Sequence, residues 1–237
     1  MYYRNQITNS DLRRFHVVIK ETNLFILAET DLTLQATQAV QKYRRELEDY
    51  IRSDPDFLDT FTPYRVDSSI PWIVQDMARA SECAGVGPMA AVAGAIAERV
   101  GLELLNYSSE VVVENGGDIF IKTLKPRTVG IYAGRSIISH RVGLRIEPEE
   151  TPLGICTSSG TVGPSISFGR ADAVVAVASS TPLADAAATF IGNSVKTAAD
   201  IPRGLDLSTH IPGLKGVIII KGADMGIRGD LTVVGCQ

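Results

Sequence analysis

The chain has 237 residues, with 23 Lys and Arg against 27 Asp and Glu, so its formal net charge is −4 at pH 7. Hydrophobic residues make up 45% of the chain, a share that is typical of a globular protein and excludes disordered and collagen-like classes. An isoelectric point near 5.4 argues against a protein that binds nucleic acid through its phosphates.

The cysteines and the apolar stretches narrow the class of protein further. Cys83, Cys156 and Cys236 are far apart and form no C-x-x-C pair, which predicts neither a disulfide framework nor a structural zinc site. This usage favours a reducing, cytoplasmic compartment. The longest apolar stretch, residues 86–105, contains Glu98 and other charged residues, and the N-terminus has no apolar signal region. We therefore expect neither a signal peptide nor a membrane span.

The spacing of apolar residues changes several times along the first half of the chain. Residues 15–29 predict a β-hairpin, because two runs of β-forming residues flank a polar turn. Residues 34–51 repeat apolar side chains every three or four positions, which predicts a surface helix. After an irregular connection over 53–70, one helix is predicted to end near Cys83. A second, over 89–100, has so many small residues that another backbone can approach it closely.

Strands dominate the second half of the chain, where turn signals separate short β-forming runs. An alanine-rich helix is predicted from Pro182 to about Ser194. Strand runs with segregated helices indicate an α+β fold with mainly antiparallel pairing, and no change of composition divides residues 1–237 into more than one domain. The predicted strands are 109–114, 117–124, 128–133, 136–139, 143–147, 153–157, 173–178, 216–221 and 231–235.

The first candidate functional segment is a polar turn between two predicted strands, formed by Asn115, Gly116, Gly117 and Asp118. Consecutive glycines let backbone groups approach a ligand, and Asn and Asp add directed polar atoms, so the turn can face a phosphate or a metal. The alternative is a plain hairpin turn, since Asn-Gly is the strongest short hairpin signal. On the residues alone the hairpin is favoured.

The second segment opens the alanine-rich helix with Ser180, Thr181 and Pro182. Asp185 and Thr189 are four residues apart and share one helical face near the positive end of the helix, where their oxygens can hold magnesium beside phosphates. The alternative is helix capping, because Ser or Thr before Pro is an ordinary helix start and an early Asp balances the dipole. On the residues alone capping is favoured.

The third segment is a loop rich in hydroxyl groups, formed by Thr157, Ser158, Ser159 and Gly160 after Cys156. Its hydroxyls and amides can bind a pyrophosphate or a sugar, or the loop can be a simple crossover. No partner base for a nucleophilic Ser or Cys is evident. A cysteine in this position is more often a small buried residue at the end of a strand than a reactive thiol.

Taken in order, these motifs resemble those of the ApbE superfamily. ApbE enzymes carry a similar glycine-glycine-aspartate turn, a Thr-Ser-Gly strand end and an Asp-Ala-Leu-Ala-Thr-Ala helix start. The matching segments here read Asn-Gly-Gly-Asp, Thr-Ser-Ser-Gly and Ala-Asp-Ala-Ala-Ala-Thr. Together with the segment GVGPMAAVAGAIAE, they make the chain most similar to the short branch of that superfamily.

The resemblance implies an α+β fold that binds FAD. It further implies magnesium-assisted cleavage of the FAD pyrophosphate, with FMN released or transferred to a threonine or serine of an acceptor protein. Residue by residue, it assigns magnesium to Asp185 and Thr189, and the flavin nucleotide to residues 115–118 and 157–160. The chain departs from the family pattern at residues 160–173, where ApbE transferases carry a histidine and this sequence has none.

A second hypothesis keeps the same fold without catalysis. The chain would then be a ligand-binding protein, or an accessory protein in sulfur assimilation and homocysteine formation with a readily labelled thiol at Cys156. Exposed strand edges, which such a sheet is expected to have, favour a homodimer. Neither nucleic acid nor a membrane is expected as a partner.

Overall fold

The computed structural model describes residues 11–161 and 168–236. Within these residues all strand pairing is antiparallel and the helices lie between strand segments, which confirms the predicted α+β class. The strands are β1 Arg13–Ile19, β2 Thr22–Ala28, β3 Val111–Asn115, β4 Asp118–Lys122, β5 Arg127–Gly130, β6 Val142–Ile146, β7 Leu153–Ser158, β8 Ala173–Ala178, β9 Leu214–Lys221, β10 Asp224–Gly229 and β11 Thr232–Gly235. The helices are α1 Thr33–Ser53, α2 Asp56–Asp59, α3 Trp72–Ala84, α4 Val92–Leu104, α5 Thr181–Ser194 and α6 Ile201–Ser208.

The strands form two sheets. The larger has eight strands in the order β1-β2-β3-β4-β7-β8-β9-β10, and the smaller has the order β11-β6-β5. The helices cover one face of the large sheet, and the small sheet covers the other. Strand β8 shows the consequence in its sequence. Val174 and Ala176 pack toward the helices while Ala173 and Val175 pack toward the small sheet, so the whole strand is apolar.

Two glycines let α4 lie close to its neighbours, as its small residues predict. A Cβ atom at Gly94 would lie 2.7 Å from the carbonyl oxygen of Thr181 in α5, and one at Gly101 would lie 2.1 Å from the ring of Phe120 in β4. Helix α4 is therefore held between α5 and the centre of the large sheet. The predicted start at residue 89 differs from the structure, in which a 3₁₀ turn at Pro88–Ala91 precedes α4.

One predicted strand is wrong. Residues 136–139 form consecutive turns, because Gly134 and His140 both adopt positive φ and reverse the chain direction. The amide of His140 bonds to the carbonyl of Ile131, which closes the segment on itself. Ile137, whose apolar side chain suggests a strand, is 64% exposed.

No single helix in the described part of the chain is both long and apolar enough to cross a membrane. Helix α3 and the segment Pro88–Leu104 meet those criteria together, but only across a bend of 105°. Their apolar side chains pack mainly into the core between the helices and the large sheet.

Candidate functional site

The β3–β4 connection is a tight hairpin, as the Asn-Gly pair predicts. Asn115 pairs with Asp118, and the two residues between them, Gly116 and Gly117, have φ values of 69° and 112°. Positive φ at both central positions is the conformation that favours glycine. The Asn115 side-chain amide donates to the carbonyl of Ala93 over 3.1 Å, so the turn is fastened to the start of α4.

The same hairpin brings Asp118 to the centre of the molecule. Asp118 pairs with Cys156 of the neighbouring strand β7, on the sheet face that carries the helices. The backbone amide of Thr157 and the Cys156 thiol both hydrogen-bond to the Asp118 carboxyl group. Its Oδ1 atom is buried and has no hydrogen-bond partner in the described residues.

Helices α4 and α5 cap each other. The Asp185 carboxylate of α5 accepts hydrogen bonds from the amides of Ala93 and Gly94 in the first turn of α4, with 2.9 Å between Oδ2 and the Gly94 nitrogen. In return, Glu98 of α4 accepts from the amide of Thr181, the first residue of α5, over 2.6 Å. Capping is thus a real role of Asp185, but at the N-terminus of the other helix.

Three side chains meet where β4, β7 and α5 converge: Asp118, Cys156 and Asp185. We call them the acidic cluster. The Cys156 sulfur lies 3.4 Å from the backbone carbonyl oxygen of Thr181, and the Thr181 hydroxyl interacts with the Glu98 carboxyl group of α4. Gly154 permits this packing, since a Cβ atom there would lie 2.4 Å from the Thr181 Cα.

Both carboxyl groups of the acidic cluster resist ionisation. Burial raises the pKa of Asp118 to about 7, and the charge of nearby Glu114 adds to this effect. Burial and the charge of Asp118 raise the pKa of Asp185 well above its usual value. The pKa of Cys156 is raised by burial and by both aspartates. An acidic pair that no basic side chain of the described residues neutralises is an arrangement suited to binding a cation.

The acidic cluster fits a hard divalent cation such as magnesium. Mg²⁺ is usually held by one or two carboxylates together with the phosphates of a substrate. Asp118 Oδ1 is a buried carboxyl oxygen with no hydrogen-bond partner in the described residues. No group of three or more His, Cys, Asp or Glu side chains there could hold a metal ion. The remaining ligands must therefore be hydroxyl, backbone, water or substrate oxygens.

Some of the other predicted site residues lie beside this cluster, and others point away from it. Thr189 is half-buried one turn beyond Asp185 on α5, where spacing puts both on one face. Ser158 faces α5 at Gly192, whereas Thr157 points to the opposite face of the sheet and contributes its amide. Partly accessible surface at Asp185, Thr189 and Ser158 leaves this side of the cluster open.

Ser159 and Gly160 are held in a turn of their own. The amide of Gly160 donates to the carbonyl of Ala171, and the Ser159 hydroxyl contacts the Thr161 hydroxyl at 3.3 Å. The predicted loop over 158–169 lies partly outside the described residues, which resume at Phe168.

Sequence reasoning did not identify Thr181 or Glu98 as residues of this region. Thr181 is present in the Ser-Ser-Thr-Pro helix start, but nothing local distinguishes its buried hydroxyl from an ordinary first helical residue. The one sequence signal for Glu98 is its charge, because it directly follows a run of small and apolar residues in α4.

Comparison with known proteins gives a family match and close relatives. The family model AbpE_bact, described as AbpE bacteria, matches residues 4–207. A UPF0280 protein of Methanocaldococcus jannaschii is 41% identical over 221 residues, which cover 91% of this chain and 90% of that protein. A UPF0280 protein of Methanococcus aeolicus is 40% identical over 221 residues and covers 91% and 89%.

Solved structures show the same fold at low sequence identity. The flavin transferase ApbE from Vibrio cholerae matches with a TM-score of 0.61 and 15% identity, over 93% of this chain and 97% of that one. The ApbE protein from Thermotoga maritima matches with a TM-score of 0.60 and 12% identity, again over 93% and 97%. These findings confirm the resemblance that the three motifs indicate.

Proposed function

The chain belongs to the family described as AbpE bacteria, and on this premise we propose that it binds a flavin nucleotide beside the acidic cluster. We further propose that, with magnesium, it cleaves the pyrophosphate of FAD and transfers FMN to a hydroxyl group of an acceptor protein. The observation that carries the proposal is a pair of adjacent aspartates, buried Asp118 and partly exposed Asp185, without a neutralising basic side chain among the described residues.

In this proposal the two aspartates hold the metal ion, and Thr189 adds an oxygen from the next turn of α5. Gly116 and Gly117 leave the surface of the hairpin free of side chains, so that a phosphate can approach the backbone. Ser158, at the open side, supplies a hydroxyl group to the nucleotide. Bound magnesium would polarise a phosphoryl oxygen and offset the charge that develops there.

The transfer step balances without a further reactant. The acceptor hydroxyl oxygen forms a bond to the FMN phosphorus, AMP leaves with the electron pair of the broken P–O bond, and the hydroxyl proton passes to solvent. When water replaces the acceptor, the products are free FMN and AMP. The protein's part is to orient the pyrophosphate against Asp118 and Asp185.

The N-terminus of α5 is not available for the phosphates. Its first amide, that of Thr181, is already bonded to Glu98, and the Ser180 hydroxyl accepts from Leu183. The phosphates are therefore expected on the metal and on the hairpin turn, away from the helix end. The sequence-based expectation instead places the phosphates near the positive end of α5, beside Asp185 and Thr189.

The proposal is tested by incubating the purified protein with FAD, with and without magnesium, and separating FMN and AMP by chromatography. Asp118→Asn and Asp185→Asn should each lower magnesium-dependent FMN formation about 100-fold or more, the size expected when several kcal/mol of charge stabilisation is lost. Glu103→Gln is the matched control, because this α4 carboxylate bonds instead to Lys42 and Tyr43 of α1.

Equal magnesium dependence in Asp185→Asn and in the parent would disprove the metal assignment. Binding of FAD without turnover would retain the flavin site and disprove transferase activity. The sulfur alternative needs an accessible thiol, and Cys156 is fully buried with a raised pKa. No observation therefore favours that second function.

A further inference from the structure

Strand β10 forms an edge of the large sheet with the features of a self-pairing surface. Within residues 11–161 and 168–236, β9 is its sole strand partner. Its residues are largely exposed, including Met225 at 37% and Ile227 at 41%. We propose that β10 pairs antiparallel with β10 of a second copy, about a two-fold axis at Gly226, so that the two large sheets become continuous.

The backbone of β10 has the correct alternation for this pairing. The carbonyl of Ile220 in β9 accepts from Asp172 beside β8, so the neighbouring residue Ile219 points its backbone groups toward β10. Ile219 pairs with Gly226. Met225 and Ile227, the residues on either side of Gly226, therefore direct their N–H and C=O groups outward from the sheet, where a second strand can bond to them.

The side chains of β10 are complementary to themselves under this symmetry. An axis at Gly226 places Met225 opposite Ile227 of the second copy, so both pairs are apolar. It also places Asp224 opposite Arg228 of the second copy, so both outer pairs have opposite charges. Cross-strand apolar and opposite-charge pairs stabilise antiparallel sheets, whereas like charges directly opposite destabilise them. A two-fold interface requires this self-complementarity.

The apolar and the charged side chains of β10 lie on opposite faces of the strand. Met225 and Ile227 pair with Ile220 and Ile218, so they extend the apolar face that lies under the small sheet. Gly226 is on the opposite face, against Ile201 and Leu205 of α6. The apolar pairs and the charged pairs would thus lie on opposite sides of the joined sheet.

The other edge strand, β1, lacks this pattern. It carries exposed Arg13, Arg14 and His16 along its length. Charged side chains on an edge strand discourage pairing with another chain. The contrast between the two edges favours β10, and a second copy of this chain is the occupant because the charge pattern of β10 complements itself.

We expect a weak, reversible dimer. Strand β10 has six residues, far fewer than the roughly 20 to 30 residues a side of a standard stable interface, which places the association in the class of transient complexes. The apparent mass should therefore rise from that of one chain toward that of two as the protein concentration is raised. Sedimentation equilibrium over a range of concentrations measures this directly.

The decisive experiment uses two charge variants. Each should associate poorly with itself, and the two should form a dimer with each other. Asp224→Arg alone places Arg opposite Arg, and Arg228→Asp alone places Asp opposite Asp, so each should weaken self-association at least about tenfold. Mixed together, the two variants place Arg opposite Asp at both outer positions, and they should form a heterodimer. Arg14→Asp on β1 is the control and should associate like the parent.

Circular dichroism and thermal unfolding should show that both variants are folded, and their mutual rescue cannot come from misfolded chains. Arg228 also bonds to Asp206 of α6, so Ile227→Lys provides an independent variant that leaves this ion pair intact. It should also weaken association. The proposal is overturned if the parent stays monomeric at all concentrations, if the β10 variants associate like the parent, or if the mixed charge variants do not combine.

Discussion

Two buried acidic regions of this molecule have opposite electrostatic character. The first region surrounds Glu110, which directly precedes β3. Its carboxylate accepts hydrogen bonds from the Thr123 hydroxyl, the Leu124 amide and the Arg127 guanidinium at 2.6 to 3.0 Å. Burial alone would raise its pKa, but these donors together with the Arg127 charge lower the pKa below its ordinary value. The Arg127 side chain is itself only 3% exposed and also bonds to Asp11.

The acidic cluster is the second region, and there the balance is reversed. No ion pair or hydrogen bond in the described part of the chain links Asp118 or Asp185 to a basic side chain, and both pKa values are raised. Burial of a carboxylate therefore does not by itself indicate function. The first region supplies its own cation and is structural, whereas the second lacks one and is suited to receive it.

The largest expected effect comes from neutralising the structural carboxylate. Glu110→Gln should lower the free energy of unfolding by about 3 to 5 kcal/mol, because it leaves the buried Arg127 without its main partner. The measurement is equilibrium denaturation at pH 7 without magnesium. Asp118→Asn is the matched substitution in the other region, and it should not destabilise. Equal losses in the two variants would remove the distinction between the regions.

The next effect is a pH dependence of opposite sign in the two regions. Asp118 has a pKa of about 7 when folded against an ordinary value of 3.8, so the folded state holds a proton that the unfolded state has released. Stability from this group is therefore present at low pH and falls as pH rises toward 7, by up to about 1.4 kcal/mol per pH unit. For Glu110, whose pKa is lowered, stability is lost as pH falls.

Unfolding curves of the parent and Asp118→Asn, measured from pH 4 to pH 8 without metal, isolate the contribution of Asp118. The advantage of the Asn variant should grow as the pH rises to about 7 and then level off. Magnesium should reduce that growth in the parent, because a bound cation favours the ionised carboxylate. A difference that stays constant with pH would show that Asp118 titrates normally, and the contrast with Glu110 would fail.

The sequence predicts the local parts of these regions better than their assembly. The hairpin at Gly116 and Gly117, the buried strand β8 and the helix α5 follow from turn chemistry, an unbroken apolar run and a Ser-Thr-Pro start. The contacts of Asp185 with Gly94 and of Glu98 with Thr181 span 91 and 83 residues along the chain. No local pattern encodes such pairs, so the sequence assigns Asp118 to the nucleotide and Asp185 to the metal without predicting that the two carboxyl groups lie together.

The elements that sequence reasoning missed depend on tertiary packing. Helix α6 contains Gly204, which weakens helix propensity, but a Cβ atom there would lie 2.6 Å from Ile219, so packing requires the glycine. Strand β10 contains Gly226 for the same reason, against Ile201. In both cases a residue that breaks the local pattern serves a close contact. The assignment of residues 1–237 to one domain stays a prediction.

A smaller effect tests how firmly Asp185 is held. Gly94→Ala introduces a Cβ atom 2.7 Å from the Thr181 carbonyl and 2.9 Å from the Asp185 Cβ, so α4 and α5 must separate. We expect a loss of about 1 to 3 kcal/mol in the free energy of unfolding, together with weaker magnesium-dependent stabilisation. Gly192→Ala on α5 is the control, since its nearest neighbour would be an ordinary 3.4 Å away. Retention of full stability and metal response in Gly94→Ala would show that the cluster does not depend on this contact.

The smallest effect is expected for the neutral member of the acidic cluster. Cys156 is fully buried, and its thiol contacts the Thr181 carbonyl at 3.4 Å, a bond that a serine hydroxyl can also donate. Cys156→Ser should therefore cost only about 1 kcal/mol of stability and leave magnesium-dependent FMN formation within a few-fold of the parent. Thiol labelling of the folded protein should modify the exposed Cys83 well before Cys156. Rapid labelling at Cys156, or loss of activity in a folded Cys156→Ser protein that still binds magnesium, would give the thiol a chemical role and make the cluster more than a cation site.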